Sequence, residues 1–536
     1  MSAATKTPEA IEMTGHPRRW LILAILCLCL VLVVASVSSL NVAIPSIQRA
    51  LDASQSQLQW IIDAYALVFA GLLLPMGALG DRYGRKWTLL SGLTLYAAAA
   101  VLASRSTSPD QVIAGRAVMG IAAALIMPST LSLLTSVFPP HERPKAIAMW
   151  AGFAGAGGAI GVVSSGLLLR WFWWGSVFFV TVPIIVIALV LIVPMVPNSS
   201  DTERRPLDLV GSFLSMCGLF ALIYSLIEGP VRGWSDPVVV GGFVLAALLL
   251  ASFVGWELRS RFPMLDPRLF RIPQFAVATA TITNLFLVMF AMFFVTTQYF
   301  QFAKDYTPLA AGVAVLPFPT AMIIVAPRGP AIAARITVRR TITLGQLLIA
   351  SGAAGLFFIR PGTPYVFSAV TMMLMACGAG LAMPSSTSSI MTSLPMNKAG
   401  VGSAVNDTTR EVGGAIGIAA IGSIAASVYR NSLGSALDAL PASARDRARD
   451  NAGSAIEIVK ASAPEGQIES LLDSVRSAFT KGMNVGMVVG SVLALFGAAI
   501  TARWYPRDTD LRRGAPAPPG ASRRSLQESS AHADHP

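Results

Sequence analysis

Long apolar runs alternate with short polar segments along this chain, and fourteen such runs can be drawn, near 20–40, 57–78, 87–104, 111–137, 145–168, 175–196, 207–228, 237–257, 273–302, 308–334, 341–359, 364–394, 400–429 and 482–503. Each approaches or exceeds the ~18 residues that a helix needs to cross ~30 Å of hydrocarbon. In lipid the backbone must satisfy its own hydrogen bonds, so the runs are predicted to be helices. The pattern therefore predicts an all-α polytopic membrane protein. One long interval, about 430–481, is rich in Ala, Ser and balanced charge; it is too polar to cross and is expected to lie outside, with short amphipathic helices.

Basic residues follow the same alternation. Arg18, Arg19, Arg82, Arg85, Lys86, Arg143, Lys145, Arg204, Arg205, Arg339, Arg340 and the tail arginines fall on one side, whereas the short loops opposite hold single cations such as Arg49, Arg105 and Arg360. An excess of Lys and Arg marks the cytoplasmic side, so fourteen crossings with both termini cytoplasmic are expected. An added or lost span would scramble the alternation. The first run, after Arg18-Arg19, reads as an uncleaved first helix rather than a signal peptide.

Composition agrees with this class. Of 536 residues 54% are hydrophobic and 13% charged, about half the ~25% of a soluble domain. The net charge of +12 is distributed by topology, so no nucleic-acid partner is predicted; the lipid bilayer is the expected environment. Cys27, Cys29, Cys217 and Cys377 lie inside apolar runs and read as packing residues. No metal-ligand spacing, nucleophile–base pair or phosphate loop is visible, so neither a metal, a cofactor nor an enzyme is expected.

The runs divide as six, two and six. The expected units are a disordered tail at 1–17, a six-helix bundle at 18–200, a two-helix insertion at 201–262, a second six-helix bundle at 263–504 and a disordered tail at 505–536. The repetition suggests duplicated halves.

The segment between the second and third runs reads Gly77-Ala78-Leu79-Gly80-Asp81-Arg82-Tyr83-Gly84-Arg85-Lys86, followed by Leu89. It resembles the G-x-L-[GA]-D-R-x-G-R-[RK]-x-x-L signature of the major facilitator superfamily. Arg116 with Gly120, Asp208-x-x-Gly211, Glu228-Gly229, Pro308-x-x-Ala311-Gly312 and Asn406 with Gly413-Gly414-x-x-Gly417 are similar to its fourteen-span drug:proton antiporter branch. Three places depart from that branch: Ser36 stands where an Asp is usual, the fifth-span glycine motif (Gly157, Gly161, Ser165, Gly166) lacks its proline, and Trp174-Gly175-Ser176 replaces W-R-W.

The resemblance implies two six-helix bundles plus two inserted central helices, rocking about a central site. It implies that Asp81, with Gly77, Gly80, Arg82, Gly84, Arg85 and Lys86, forms a gate against the N-terminus of the thirteenth span near Gly400, where helix N–H groups favour an anion. Gly77, Gly80 and Gly84 would permit close approach and a tight turn. It also implies that Gly157, Gly161, Ser165 and Gly166 pack between the bundles.

Proton coupling requires a group that changes charge inside the membrane. Asp63 with Arg116 is the leading candidate, and Asp407, Arg410 and Glu411, stacked on one helical face, form a second constellation. Ser36, Asn41, Phe69, Phe290 and Phe294 are candidates for lining a substrate cavity. The reading is a proton-driven exporter of small amphiphilic or hydrophobic drugs in a bacterial cytoplasmic membrane, working as a monomeric unit, with protons as the coupling ion. Two alternatives stay open: an exporter of an endogenous lipid, siderophore or metabolite without classical antiport, and a non-transporting scaffold that binds a partner through 430–481.

Overall fold

The computed structural model describes residues 15–53, 55–200, 208–395, 398–433, 445, 448–449, 452–463 and 467–507. Its crossing segments are α1 (Arg19–Leu51), α2 (Gln55–Tyr83), α3 (Arg85–Ser104), α4 (Pro109–Val137), α5 (Arg143–Trp171), α6 (Ser176–Met195), α7 (Leu209–Arg232) and α8 (Pro237–Glu257), followed by α9 (Pro273–Gln298), α10 (Leu309–Ile336), α11 (Val338–Leu356), α12 (Tyr365–Thr392), α13 (Ala399–Leu433) and α14 (Ile468–Trp504). Thirteen of them are long and apolar enough to cross a membrane. The exception is α11, where Arg339, Arg340, Thr341, Thr343 and Gln346 dilute the apolar content, yet it packs along α12 and α14 as one of the bundle.

Local chemistry sets many of the boundaries. Ser108 caps α4 by accepting from Gln111 N, and Asp236 caps α8 by accepting from Val238 N; a proline follows each cap at the first helical position, where its missing N–H is harmless. Asp52, at φ 49°, closes α1 in the left-handed region. Within α10, Pro317, Pro327 and Pro330 stand at or near the starts of successive short helical pieces, because proline cannot continue the i−4 ladder. The single run expected at 308–334 is thus a broken helix.

The two halves repeat one packing scheme. In the first, α1 packs on α4, α5 and α6, α2 on α4, and α3 on α4 and α6. In the second, α9 packs on α12, α13 and α14, α10 on α12, and α11 on α12 and α14. The halves meet along two seams: α13 against α2 and α4, and α5 against α10 and α12. Helix α7 covers the first seam, touching both α2 and α13, with Trp60 stacked on Tyr224 at 6.3 Å and Leu67, Ala70 and Ile223 packed with Val412. Helix α8 lies outermost; 17% of its apolar window is buried against 83% for α4.

Several expectations change. Gly157 and Gly161 do not pack between halves. A side chain on Gly157 would meet Val34 Cβ at 2.8 Å and one on Gly161 would strike the Ala35 carbonyl, while Ser165 Oγ donates to Ser39 O at 2.8 Å. All three therefore hold α5 to α1 inside the first half. Only Gly166 of that motif reaches across, against Leu309 of α10. The small residues lie on two faces of one helix, and their spacing alone does not say which neighbour each face meets.

The helices on either side run into the segment expected to lie outside. Helix α13 continues to Leu433 and α14 begins at Ile468. With the short helix Ala452–Ser462 they enclose a small core of Tyr429, Leu433, Ala455, Val459, Leu472 and Val475. At the chain ends, His16 N donates to Val137 O at 2.9 Å, and Tyr505 is buried with its hydroxyl 2.6 Å from Ser389 Oγ. Order thus extends past both expected tail boundaries. The rest of the two tails, 1–14 and 508–536, lies outside the described residues.

Candidate functional site

The glycine–charge segment builds the first part of the site. Gly84, at φ +107°, separates α2 from α3, a conformation that favours glycine. The turn places Arg85 beside Asp81, with Nε and Nη2 donating to Asp81 Oδ1 at 2.9 and 2.7 Å. Arg85 is held in turn by Ser199, whose Oγ accepts from Nη1 and whose carbonyl accepts from the Arg85 N–H, both at 2.9 Å.

The Asp81 carboxylate also spans the first seam. Gly400 N donates to Oδ1 at 2.8 Å and Val401 N to Oδ2 at 3.0 Å. These N–H groups belong to the first turn of α13 and lack intrahelical partners, so an anion there meets both the open donors and the helix dipole. Close approach depends on glycine at two points: a Cβ on Gly77 would lie 2.6 Å from Ala404 Cβ, and one on Gly400 would lie 2.5 Å from Asp81 Oδ1.

The other residues of the motif divide. Gly80 has ordinary room for a side chain, with Thr88 Oγ1 at 3.7 Å, so close approach does not require glycine there. Arg82 lies over the ring of Tyr83 at 5.3 Å, and Lys86 Nζ donates to Val193 O at 2.7 Å. Neither contact crosses the seam.

Further along α13 stand Asp407, Arg410 and Glu411. Asp407 and Arg410 are buried and touch weakly, Nη1 to Oδ1 at 3.4 Å. Asn406 Nδ2 donates to the same oxygen at 3.2 Å, and Thr387 Oγ1 of α12 donates to Asn406 Oδ1 at 2.9 Å. Asp407 Oδ2 and Arg410 Nε have no hydrogen-bond partner. The Arg410 guanidinium lies between aromatic faces, 4.6 Å from the Phe286 centroid and 5.7 Å from that of Trp150. A cation so placed is stabilised by ring quadrupoles rather than by a strong ion pair.

Arg116 of α4 is fully buried. The expected pairing with Asp63 is not made: Arg116 Nε donates to Ile61 O at 3.1 Å, both terminal nitrogens lack hydrogen bonds, and the guanidinium covers the Tyr65 ring at 4.2 Å. Tyr65 stands two residues beyond Asp63 on the next face of α2, and its ring takes the place next to the arginine. Its own hydroxyl is buried without a partner. Tyr65 and Trp150 are the site residues that sequence reasoning underweighted; the available signal was a polar-tipped aromatic in mid-span near an ionisable residue.

Among the cavity candidates, Phe69 is buried and stacks on Tyr65 at 5.7 Å. Phe290 packs on Gly414 and, edge to face, on Phe286. Phe294 is exposed beside Gly422. Ser36 is buried, and its carbonyl accepts from Ser39 Oγ at 3.1 Å. The side chain of Asn41 lies outside the described residues.

Known proteins resemble this chain. Over 509 residues the chain is 32% identical to the multidrug efflux pump LfrA of Mycolicibacterium smegmatis, covering 94% of this chain and 98% of that protein. It is 33% identical over 496 residues to the methyl viologen resistance protein SmvA of Salmonella typhimurium, covering 91% and 98%. The solved structure of the human organic anion transporter MFSD10 (TETRAN) superposes with a TM-score of 0.58 at 13% identity, over 91% of this chain and all of that one, which is a likeness of fold alone. A family model described as Major Facilitator Superfamily matches residues 26–418, and with the repeated six-helix halves and the Asp81 contact across their seam it places this chain in that superfamily of membrane transporters.

Proposed function

We propose that this protein is an efflux transporter that exports small hydrophobic or amphiphilic drugs by alternating access, driven by protons. The observation that carries the reading is the group on α13: a buried carboxyl, Asp407, with an oxygen lacking a partner, beside an arginine held chiefly by aromatic rings, with Glu411 one turn further along the helix. Relatives named for multidrug efflux and methyl viologen resistance match nearly the whole chain and support the drug class.

In this reading Asp407 and Glu411 share the coupling proton, Arg410 sets their balance, and Arg116 and Asp63 modulate it from the other half. The Asp81 segment is the gate. Units run 18–200, 201–262 and 263–504, both termini face the cytoplasm, and one chain in a bacterial cytoplasmic membrane is the transport unit. A membrane potential contributes ~2.3 kcal/mol per charge per 100 mV, so each entering proton supports modest uphill export.

The test is flux of a fluorescent amphiphilic dye in reconstituted vesicles with an imposed pH gradient. Glu411→Gln and Asp407→Asn are expected to abolish proton-driven accumulation, and Asp63→Asn to reduce it. Wild-type accumulation by the double Asp407→Asn/Glu411→Gln variant would overturn the assignment.

A further inference from the structure

We propose that the cleft between the start of α11 and the end of α14 binds the headgroup phosphate of an anionic phospholipid, in the leaflet on the same side as the Asp81 gate. The cleft has a volume of about 440 Å³ and is lined by Arg339, Arg503, Trp504, Tyr505, Pro506 and Arg507. Half of these residues are arginines and none is acidic. Arg339 and Arg503 form no ion pair with an acid among the described residues. Planar guanidinium forks suit a phosphate diester, which accepts paired hydrogen bonds. A zwitterionic headgroup would bring its own cation against Arg339 and Arg503, so the site selects a net negative lipid.

Position argues for lipid rather than soluble phosphate. Both helices cross the membrane, and basic pockets between crossing helices at the interface are where anionic headgroups bind. Below the cleft, α14 exposes Val492, Leu495 and Phe496, and α11 exposes Leu344 and Leu347. Phe496 and Arg503 are two turns apart on one face, so an acyl chain lying on Phe496 directs its phosphate toward Arg503. Trp504, 59% exposed at the helix end, is the kind of side chain that anchors at headgroup level. The floor is fixed: Tyr505 is buried with its hydroxyl 2.6 Å from Ser389 Oγ, which holds the turn carrying Arg503 and Arg507.

The experiment uses the full chain purified in detergent, with bound lipid counted by native mass spectrometry. Phosphatidylglycerol, phosphatidylcholine with the same chains, and glycerol 3-phosphate are titrated separately and in competition. The wild type is expected to prefer phosphatidylglycerol. The Arg339→Gln/Arg503→Gln/Arg507→Gln variant is expected to lose roughly fivefold in that affinity per arginine. A control, Arg259→Gln/Arg261→Gln/Arg268→Gln, removes equal charge from the α8–α9 loop and is expected to keep the preference. If the first variant does not purify as one species, Arg503→Gln alone, at an exposed position, carries the test with a loss of roughly fivefold. Equal losses in both triple variants, equal binding of the two lipids, or displacement by glycerol 3-phosphate at matching concentration would each overturn the proposal.

Discussion

Asp81→Asn removes one charge at the seam while keeping the side chain's shape, and its effect can be worked from the contacts. Asp81 and Arg85 are four residues apart at one end of the first half, so their pair travels together however the halves rock. It cancels from any difference between arrangements, and only the bonds from Gly400 and Val401 distinguish the gated state. Both are charge-assisted, a class that contributes about 1.5–3 kcal/mol each, with a further ~0.3–1 kcal/mol from the dipole of α13. The amide oxygen of Asn would keep one bond in neutral form, while its nitrogen would face the other N–H, donor against donor. The gated state then loses about 2–4 kcal/mol, a shift of roughly 30- to 1,000-fold in its population. Spin labels at His141, which is well exposed, and at Thr392 lie on opposite halves at this end. Pulsed dipolar spectroscopy of Asp81→Asn is expected to show a longer second distance becoming dominant. An unchanged distance distribution would mean that the two N–H bonds do not hold the halves together.

Gly400→Ala should act in the same direction without altering charge, because its Cβ would lie 2.5 Å from Asp81 Oδ1 and 2.6 Å from Gly77 O; the same label pair reads the outcome, and a fully closed distribution argues against a tight fit. A pH effect is expected at the start of α1, where Arg19 Nε donates to Glu142 Oε2 at 2.5 Å and Nη2 to Oε1 at 2.9 Å. That hydrogen bond from Arg19 holds the Glu142 carboxyl below the usual carboxylate range. A depressed value means the contact stabilises fully above the ordinary carboxylate pKa and is lost as pH falls through the lowered one. Hydrogen exchange near Arg19 should therefore accelerate only well into the acid range, and Glu142→Gln should remove the pH dependence.

Most of the architecture was legible because it is one-dimensional information. Apolar length and charge alternation give the order of the segments; α11, diluted by Arg339, Arg340 and Gln346, falls short of the length and apolarity of a crossing yet packs in the bundle at the place expected for the run at 341–359. The contact of Asp81 with the start of α13 was legible because nine positions of a dense motif agree. Contacts that depend on helix rotation were not. Gly157 and Gly161 meet α1 rather than the other half, and Arg116 meets Tyr65 and the Ile61 carbonyl rather than Asp63. In both cases the sequence names the interacting chemistry, but a shift of one or two residues around a helix selects the partner. The helical continuation of α14 back to Ile468 was hidden for another reason. Its first turns are amphipathic and cover the small external core, so hydropathy marks the apolar part of the helix and not its start.

The two seams between the halves differ in kind, and that difference bears on how the molecule moves. The repeat extends to a pair of close contacts: Gly157 and Gly161 of α5 meet Val34 and Ala35 of α1, and Gly413 and Gly417 of α13 meet Thr283 and Leu287 of α9. The opposite faces of these two helices have diverged. Helix α5 turns Gly155 and Gly166 toward Met322 and Leu309 of α10, with Gly312 returning the contact on Val162, a seam of small and aliphatic groups with no directional bond. Helix α13 turns its N-terminal N–H groups toward Asp81 of α2, and its Arg410 toward Trp150 of α5 and Phe286 of α9. Dispersion contacts between small groups are individually weak and re-form after a small slide, whereas a carboxylate on two N–H groups is either bonded or not. Under the proposed alternating access, an apolar seam on one side and a bonded seam on the other would make the rocking of the halves bistable, with its free-energy difference concentrated in the few polar groups on α13. Helix α7 touches α2 and α13 along the bonded seam, and in the proposed cycle it would shelter the polar contact there from lipid.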